Sequence, residues 1–153
     1  GELVVTPLVK EAMPLVRYRT GDITMILDDE CPCGRGPKLA RFTGRSDDML
    51  VIRGINVFPS QIEHVLLEVP EVGTHYMVYV DRINHMDEMT IEVEVAPGYF
   101  RGELADLKNL QIRVVKALRD VLELRTTVRL VEPGSLPRFE GKAKRVIDRR
   151  EGL

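Results

Sequence analysis

The sequence predicts an α+β fold, with a β-rich first part and a smaller second domain whose elements follow the order β-α-β-β-α-β. Three patterns predict this class. In residues 104–124, apolar side chains recur at spacings of three and four, as on one face of a helix. Residues 89–95 alternate between apolar and polar side chains, which is typical of a strand. Residues 58–69 carry a shorter helical pattern that opens with a proline.

The second domain is predicted to begin near residue 49. Its elements in order are a strand at 49–52, the helix at 58–69, strands at 74–81 and 89–95, the helix at 104–124 and a strand at 126–131. In this split βαβ arrangement, two helices cover one face of an antiparallel sheet. A charged tail follows from residue 132.

The first part of the chain is predicted to be mostly strand. Apolar runs at residues 1–9, 15–18 and 23–27 indicate short strands, and the strand pattern resumes at 39–42 after a polar loop with glycine and proline. Three strands of about 5 residues bury too little surface to form a core of their own. We therefore expect this segment to be cut from a larger β structure and the chain to be a piece of a longer protein.

Composition and charge exclude several classes of function. With 24 acidic and 22 basic side chains, the formal net charge of −2 disfavours charge-driven binding to nucleic acid or to an acidic membrane. Apolar runs stay well short of the roughly 18 residues that a membrane-spanning helix needs, and no signal segment opens the chain. These features predict a soluble, cytoplasmic protein without nucleic-acid or membrane partners.

The chain has two cysteines, Cys31 and Cys33, separated by one proline. Such a pair can supply two ligands to zinc, but a structural zinc site normally has four. His64, His75 and His85 are not at a metal-ligand spacing from the pair. We predict no metal site within this chain, and leave open that further ligands lie in another part of a longer protein.

Three polar clusters can each be explained separately by ordinary surface structure. Gly21 and Asp22 are typical of a tight turn, residues 45–48 are typical of a solvated linker, and Lys142 lies in a basic tail.

Together with their neighbours, however, these clusters resemble the closing third of the acyl-adenylate-forming enzymes, and within them the phenylacetate–coenzyme A ligase family. The segments that carry the resemblance, in order and spacing, are GELVVT, YRTGD, GRSDDMLVIRGINVFPSQIE and LPRFEGKAKRVIDRR. The third segment is the most specific, and the resemblance covers essentially the whole chain.

The resemblance implies a two-step ligase. An aryl or arylacetate carboxylate attacks ATP to give an acyl-adenylate and diphosphate, and coenzyme A then displaces AMP. Residues 1–44 would be the last β-barrel strands of a large adenylating domain that is otherwise missing, and residues 45–153 a small mobile domain. ATP, Mg²⁺ and coenzyme A are implied for the full-length enzyme; none is expected to bind tightly to this chain alone, which we expect to be inactive.

The resemblance also implies roles for residues in the first half of the chain. Asp22 matches an aspartate that accepts hydrogen bonds from the ribose hydroxyls, and Arg45 matches an arginine that approaches the ribose and phosphates. Asp47 falls at the hinge between the two domains, with Asp48 as the second choice. Gly54 matches a glycine that lines the coenzyme A tunnel.

Lys142 matches the lysine that stabilises the charge developing at phosphorus during adenylation. Lys144 is the alternative, although its spacing from Gly141 fits less well. Arg53 and Asn56 flank Gly54 and are weaker candidates for contact with coenzyme A.

A second hypothesis places the chain in another class, a free-standing regulatory domain that senses small molecules. Such domains share the β-α-β-β-α-β order, so the order alone does not separate the two. Lys142 with Pro137, Arg138 and Gly141 favours the ligase, because a sensor has no use for this motif. The identity of the acid lies outside the chain, and assembly into a homodimer stays open.

Overall fold

The computed structural model of the chain describes residues 1–28, 32–34, 36–99, 104–139 and 144–150. The chain divides into two compact units, Gly1–Met49 and Leu50–Leu153. The predicted α+β class is confirmed, with two helices and several sheets in the described residues. That the first 44 residues belong to a larger adenylating domain stays a prediction.

The first unit consists of short strands and loops. Its strands are β1 (Glu2–Val5), β2 (Tyr18–Ile23), β3 (Ile26–Leu27), β4 (Lys38–Leu39) and β5 (Gly44–Arg45). Strands β1, β2 and β5 form an antiparallel sheet with β2 in the centre, and β3 pairs with β4 in a separate ribbon. In the described part of this unit the strands do not close into a barrel.

The second unit contains a hairpin, a four-stranded sheet and both helices. Its elements are β6 (Leu50–Ile52), β7 (Ile55–Val57), α1 (Pro59–Leu67), β8 (Val72–Ile83), β9 (Met86–Val95), α2 (Leu104–Leu122), β10 (Thr127–Val131) and β11 (Val146–Asp148). Strands β6 and β7 pair only with each other, and the larger sheet has the order β10-β9-β8-β11.

Two details of the predicted sheet are wrong. The sheet is mixed rather than antiparallel, because only β8 and β9 run antiparallel, while β10 is parallel to β9 and β11 is parallel to β8. Helix α2 connects β9 to β10, and such a crossover returns the chain in the same direction. The strand predicted at residues 49–52 lies in the separate β6–β7 hairpin and not in the larger sheet. The fourth strand of the larger sheet is β11, which was not predicted because it lies in the charged tail.

The core lies between the two helices and the larger sheet. Helix α1 packs against β8 and α2, and α2 packs against β10. The buried helical residues are Ile62, Val65 and Leu66 in α1 and Leu110, Val114, Leu118 and Leu122 in α2. The start of α1 is capped by Gln61, whose Oε1 accepts a hydrogen bond of 2.9 Å from the Phe58 N–H. No helix among the described residues has the length and apolar character needed to cross a membrane.

Candidate functional site

Three of the predicted site residues come together in the first unit. The pairing of β2 with β5 sets Asp22 opposite Arg45. Arg45 donates from Nη1 to Asp22 Oδ1 at 3.2 Å, and from Nε and Nη2 to the two carboxylate oxygens of Asp47 at 2.9 Å each. The hydrogen bonds that Arg45 donates to Asp47 are the main reason why the pKa of Arg45 is raised above its ordinary value. The guanidinium is therefore a permanent cation held between two carboxylates.

Gly21 makes room for this cluster. Its φ of +82° is in the left-handed region, and a Cβ at this position would lie 2.9 Å from Arg45 Nη2 and 3.3 Å from Asp47 Oδ1. The Gly21 N–H donates to Glu2 Oε1 at 3.1 Å. Glu2 also accepts from Arg19, and that hydrogen bond lowers the pKa of Glu2. Glu2 was not predicted as part of this cluster, because only the β1–β2 pairing brings it near.

Asp47, the predicted hinge, lies in the turn that follows β5, two residues before the end of the first unit at Met49. A turn is a position where φ and ψ can change without breaking a helix or strand. Its carboxylate holds the Arg45 guanidinium with two hydrogen bonds. The hinge role itself stays a prediction.

Gly54 lies at the tip of the β6–β7 hairpin. Arg53 and Gly54 form its two-residue loop, with φ values of 52° and 80°. Positive φ at both loop residues defines a type I′ turn, in which glycine at the second position avoids backbone strain. A Cβ on Gly54 would meet no atom within 4 Å, so the space beside this turn is open.

Polar contacts join this hairpin to the beginning of β9. Asp87 accepts hydrogen bonds of 2.9 Å at Oδ1 from Arg82 Nε and at Oδ2 from Arg150 Nη1. Arg150 Nη1 also donates to the Val51 carbonyl at 2.7 Å, and Arg53 Nε donates to the Asp87 carbonyl at 2.6 Å. The hydrogen bond from Arg82, followed by that from Arg150, lowers the pKa of Asp87. We call these five residues the hairpin anchor.

Lys142 lies outside the described residues, as do its neighbours 140, 141 and 143. The alternative candidate, Lys144, is described and exposed. Of the two candidates, the structure therefore gives a position only for Lys144, and the assignment to Lys142 stays a prediction.

The segment before Lys142 is held by a buried carboxylate at the end of β9. Glu94 Oε1 accepts a hydrogen bond of 2.9 Å from the Leu136 N–H, and Oε2 accepts one of 2.8 Å from Arg138 Nη2. The Glu94 side chain is only 7% exposed. We call these three residues the tail anchor.

The segment after Lys142 is held against β8 and α1. The Arg145 guanidinium lies 4.7 Å from the centre of the Tyr76 ring and pairs with Glu63 of α1. The Arg145 carbonyl accepts a hydrogen bond of 2.8 Å from the Val78 N–H, immediately before β11 joins β8. Burial raises the pKa of Tyr76. A cleft of about 250 Å³ is lined by Arg138 before Lys142, by Arg145 after it, and by His75 of β8.

The cysteine pair is described only in part. Cys33 is exposed, and Cys31 lies outside the described residues. Among the residues that are described, no group of three or more His, Cys, Asp or Glu side chains is placed to hold a metal ion.

Sequence reasoning missed the residues that hold these segments. The alternation in β9 predicts that Glu94 points away from the core, yet the side chain is buried because the tail folds over it. Asp87 gave no signal, since it lies at the turn end of β9 among other charged residues. The sequence held one chemical indication: a glutamate between two apolar residues of a strand needs a hydrogen-bond donor if it is buried.

The described part of the second unit thus consists of a hairpin, two helices on a mixed sheet, and a tail that returns to the sheet. The chain belongs to the AMP-binding enzyme C-terminal domain family, which matches residues 54–150.

Similarity to individual relatives indicates which members of this family the chain is like. The chain is 44% identical over 165 residues to the phenylacetate-coenzyme A ligase of Thermus thermophilus, covering 99% of this chain and 37% of that protein. It is similar to 2-hydroxyisobutyryl-CoA ligase in the postadenylation state in complex with R3-HIB-AMP, with 36% identity, a TM-score of 0.83 and coverage of 97% of this chain and 32% of that one.

The same ligase in complex with 2-HIB-AMP and CoA in the thioesterification state matches with 37% identity, a TM-score of 0.67 and coverage of 99% of this chain and 32% of that one. The chain thus spans about a third of the length of these relatives. The predicted family resemblance is confirmed, and nothing in these matches supports the small-molecule sensor.

Proposed function

We propose that this chain is the C-terminal part of an ATP-dependent aryl- or arylacetate–CoA ligase that converts phenylacetate, ATP and CoA to phenylacetyl-CoA, AMP and diphosphate. The observation that carries the proposal is the similarity to phenylacetate-coenzyme A ligase over 99% of the chain. Two steps make up the reaction. A carboxylate oxygen attacks the α-phosphorus and diphosphate leaves; the thiolate of CoA then attacks the acyl carbon and AMP leaves.

Asp22 is proposed to accept hydrogen bonds from the ribose hydroxyls, and Arg45 to lie close to the ribose and phosphates. One oxygen of Asp22 already accepts from Arg45, and a carboxylate has further lone pairs for hydroxyl donors. The charge of Arg45 is oriented by Asp47, which supports a fixed cation beside the nucleotide. Asp47 would also be the hinge between the adenylation and thioesterification arrangements.

Lys142 is proposed to enter the site during adenylation. An ammonium stabilises the negative charge that develops on the oxygens around phosphorus, and this contact is stronger in the transition state than in the ground state. Gly54 is proposed to line the path of the CoA thiol in the second step, which fits the open space at its turn.

Mg²⁺ is proposed to accompany ATP as its complex. The described residues do not converge in a group of three or more metal-ligating side chains, so no step is assigned to the ion through them. The remaining two thirds of the protein and the cytoplasmic location also stay predictions, and assembly into a homodimer stays open. We expect this chain alone to bind ATP and CoA weakly.

The test is Lys142→Ala in the complete ligase, with Lys144→Ala as its matched control. Loss of a charge-stabilising contact typically slows the affected step by about 10²- to 10³-fold. We expect that loss in phenylacetate-dependent pyrophosphate exchange, while thioesterification of preformed phenylacetyl-adenylate is retained. A larger loss of exchange in Lys144→Ala would reassign the role, and equal loss of both half-reactions in Lys142→Ala would contradict the two-arrangement proposal.

A further inference from the structure

Strand β9 carries two carboxylates with little exposure, one near each end. Asp87 lies at the beginning of the strand with its side chain 12% exposed, and Glu94 lies near the end with 7% exposed. Removing a carboxylate from water is unfavourable unless charged or polar donors replace the water. Glu94 is satisfied by a segment that is distant in the sequence, and Asp87 is satisfied by the nearby Arg82 and by the distant Arg150.

Glu94 holds the segment that leads to Lys142. Its two oxygens accept from the Leu136 N–H and from Arg138, so it binds both the backbone and a side chain of that segment. After Lys142 in the sequence, Arg145 is held over Tyr76. The described residues on both sides of Lys142 are therefore held by the second unit, and the tail anchor is one of these contacts.

Asp87 holds the hairpin that bears Gly54. Its carboxylate fixes Arg150, which in turn donates to the Val51 carbonyl in β6. Its carbonyl accepts from Arg53 in the turn itself. Since β6 and β7 pair with no strand of the larger sheet, these hydrogen bonds are the polar connection between the turn and β9 among the described residues.

We infer that Glu94 is a positioning residue for adenylation and that Asp87 is a positioning residue for thioesterification. The inference rests on the proposed function, in which Lys142 acts in the first half-reaction and the Gly54 turn in the second. Neither carboxylate is inferred to touch a substrate. The two positioning residues thereby lie on one strand, β9, although they serve half-reactions that follow each other.

The test measures the two half-reactions separately in the complete ligase, for Glu94→Gln, Asp87→Asn and the control Glu92→Gln. All three substitutions keep the shape of the side chain and remove its charge. Glu92 lies on the same strand and pairs with Arg129, which belongs to neither anchor. The two readouts are pyrophosphate exchange and thioesterification of preformed phenylacetyl-adenylate.

We expect opposite outcomes at the two ends of the strand. A small misplacement of a reacting group can slow a step by on the order of 10- to 100-fold. Glu94→Gln should lower pyrophosphate exchange by that factor, with KM for ATP and thioesterification retained. Asp87→Asn should lower thioesterification and raise KM for CoA, with exchange retained. Glu92→Gln should change both half-reactions by no more than about twofold.

A second variant keeps the inference testable if Glu94→Gln does not fold. Arg138→Gln leaves the carboxylate bonded to the Leu136 N–H and removes only the side-chain pair. Arg138→Gln by itself should slow pyrophosphate exchange with thioesterification retained. Where Glu94→Gln folds, the two effects should not add in the double variant, because Glu94→Gln already disturbs the pair with Arg138. Hydrogen exchange of the Leu136 amide should become faster in Glu94→Gln, because a neutral amide oxygen is a weaker acceptor for this N–H than the carboxylate.

The outcomes separate this inference from the proposed function. If Lys142→Ala abolishes exchange while folded Glu94→Gln and Arg138→Gln do not slow it, positioning by Glu94 is wrong and the proposed function stands. If Lys142→Ala leaves exchange intact, the proposed function fails first. Equal loss of both half-reactions in either carboxylate variant would overturn the division of roles between Asp87 and Glu94.

Discussion

The two compact units of this chain are stabilised in different ways. The second unit buries a continuous apolar core between its helices and its larger sheet, including Val78, Ile91, Val114 and Leu118. The first unit is joined mainly by backbone pairing and by the Arg45 cluster, and it exposes large apolar side chains such as Leu8 and Val9. The second unit is therefore stabilised by its own apolar core, whereas the first unit depends on local polar contacts.

The largest expected effect comes from the core of the second unit. Leu118 is fully buried, and Leu118→Ala should lower the free energy of unfolding of that unit by about 2–5 kcal/mol. Leu8 is 94% exposed, and Leu8→Ala should change the stability of the first unit by no more than about 0.5 kcal/mol. Amide hydrogen exchange, resolved by residue, measures both units in one sample. Similar effects in the two units would contradict the comparison.

A smaller effect is expected at Gly21, where the first unit relies on a glycine. An L-residue in the left-handed region costs about 1–2 kcal/mol. Gly54 has a similar φ but open space around its Cβ, so Gly54→Ala is the matched control for backbone strain alone. Gly21→Ala should cost more, because its Cβ would displace the Arg45 guanidinium.

The NMR signal of the Arg45 Nε–H reports this displacement directly. We expect the chemical shift of this signal to change in Gly21→Ala and to be unchanged in Gly54→Ala. An unchanged signal in Gly21→Ala would show that the cluster accommodates the methyl group.

The smallest effect is expected from pH. The hydrogen bond from Arg82 lowers the pKa of Asp87 from its ordinary value of 3.8. The hydrogen bond from Arg150 likewise lowers the pKa of Asp148. A carboxylate with a lowered pKa stabilises the folded protein above the unfolded pKa, and this contribution is lost as the pH falls through the folded pKa. Hydrogen-exchange protection of β6 and β7 should therefore decrease below about pH 4.

Asp87→Asn removes one of the two titrating groups. In this variant, the hydrogen-exchange protection of β6 and β7 should be lower at pH 7 than in the unmodified chain. It should also decline less steeply as the pH falls. A decline of equal steepness in both proteins would exclude Asp87 as a source of the pH dependence.

Strong periodic patterns predicted the fold well where one side of an element is buried. Helix α2 follows the predicted period because Leu110, Val114 and Leu118 all face the core, although Leu104 at its start is exposed. Strand β2 did not follow from an apolar run, since its residues are mostly polar and it is held by backbone pairing on both sides. Strand β11 was missed because it is only three residues long, lies in a charged tail and forms at the sheet edge by pairing with β8.

Asp22, Arg45 and Asp47, which the family resemblance singles out, lie in one cluster, and their roles at the nucleotide and the hinge stay predictions. The anchoring carboxylates could not be predicted, because hydrogen bonds such as that from Leu136 to Glu94 join positions far apart in the chain.

The sequence by itself determined the α+β class, both helices and the family to which the chain belongs, because periodicity and motif spacing are local properties of a chain. The tertiary structure decided the mixed direction of the sheet, the separate β6–β7 hairpin and the partners of Asp87 and Glu94. The physical reason is that a buried carboxylate is stable only where distant donors converge on it, and their convergence depends on how the whole unit packs.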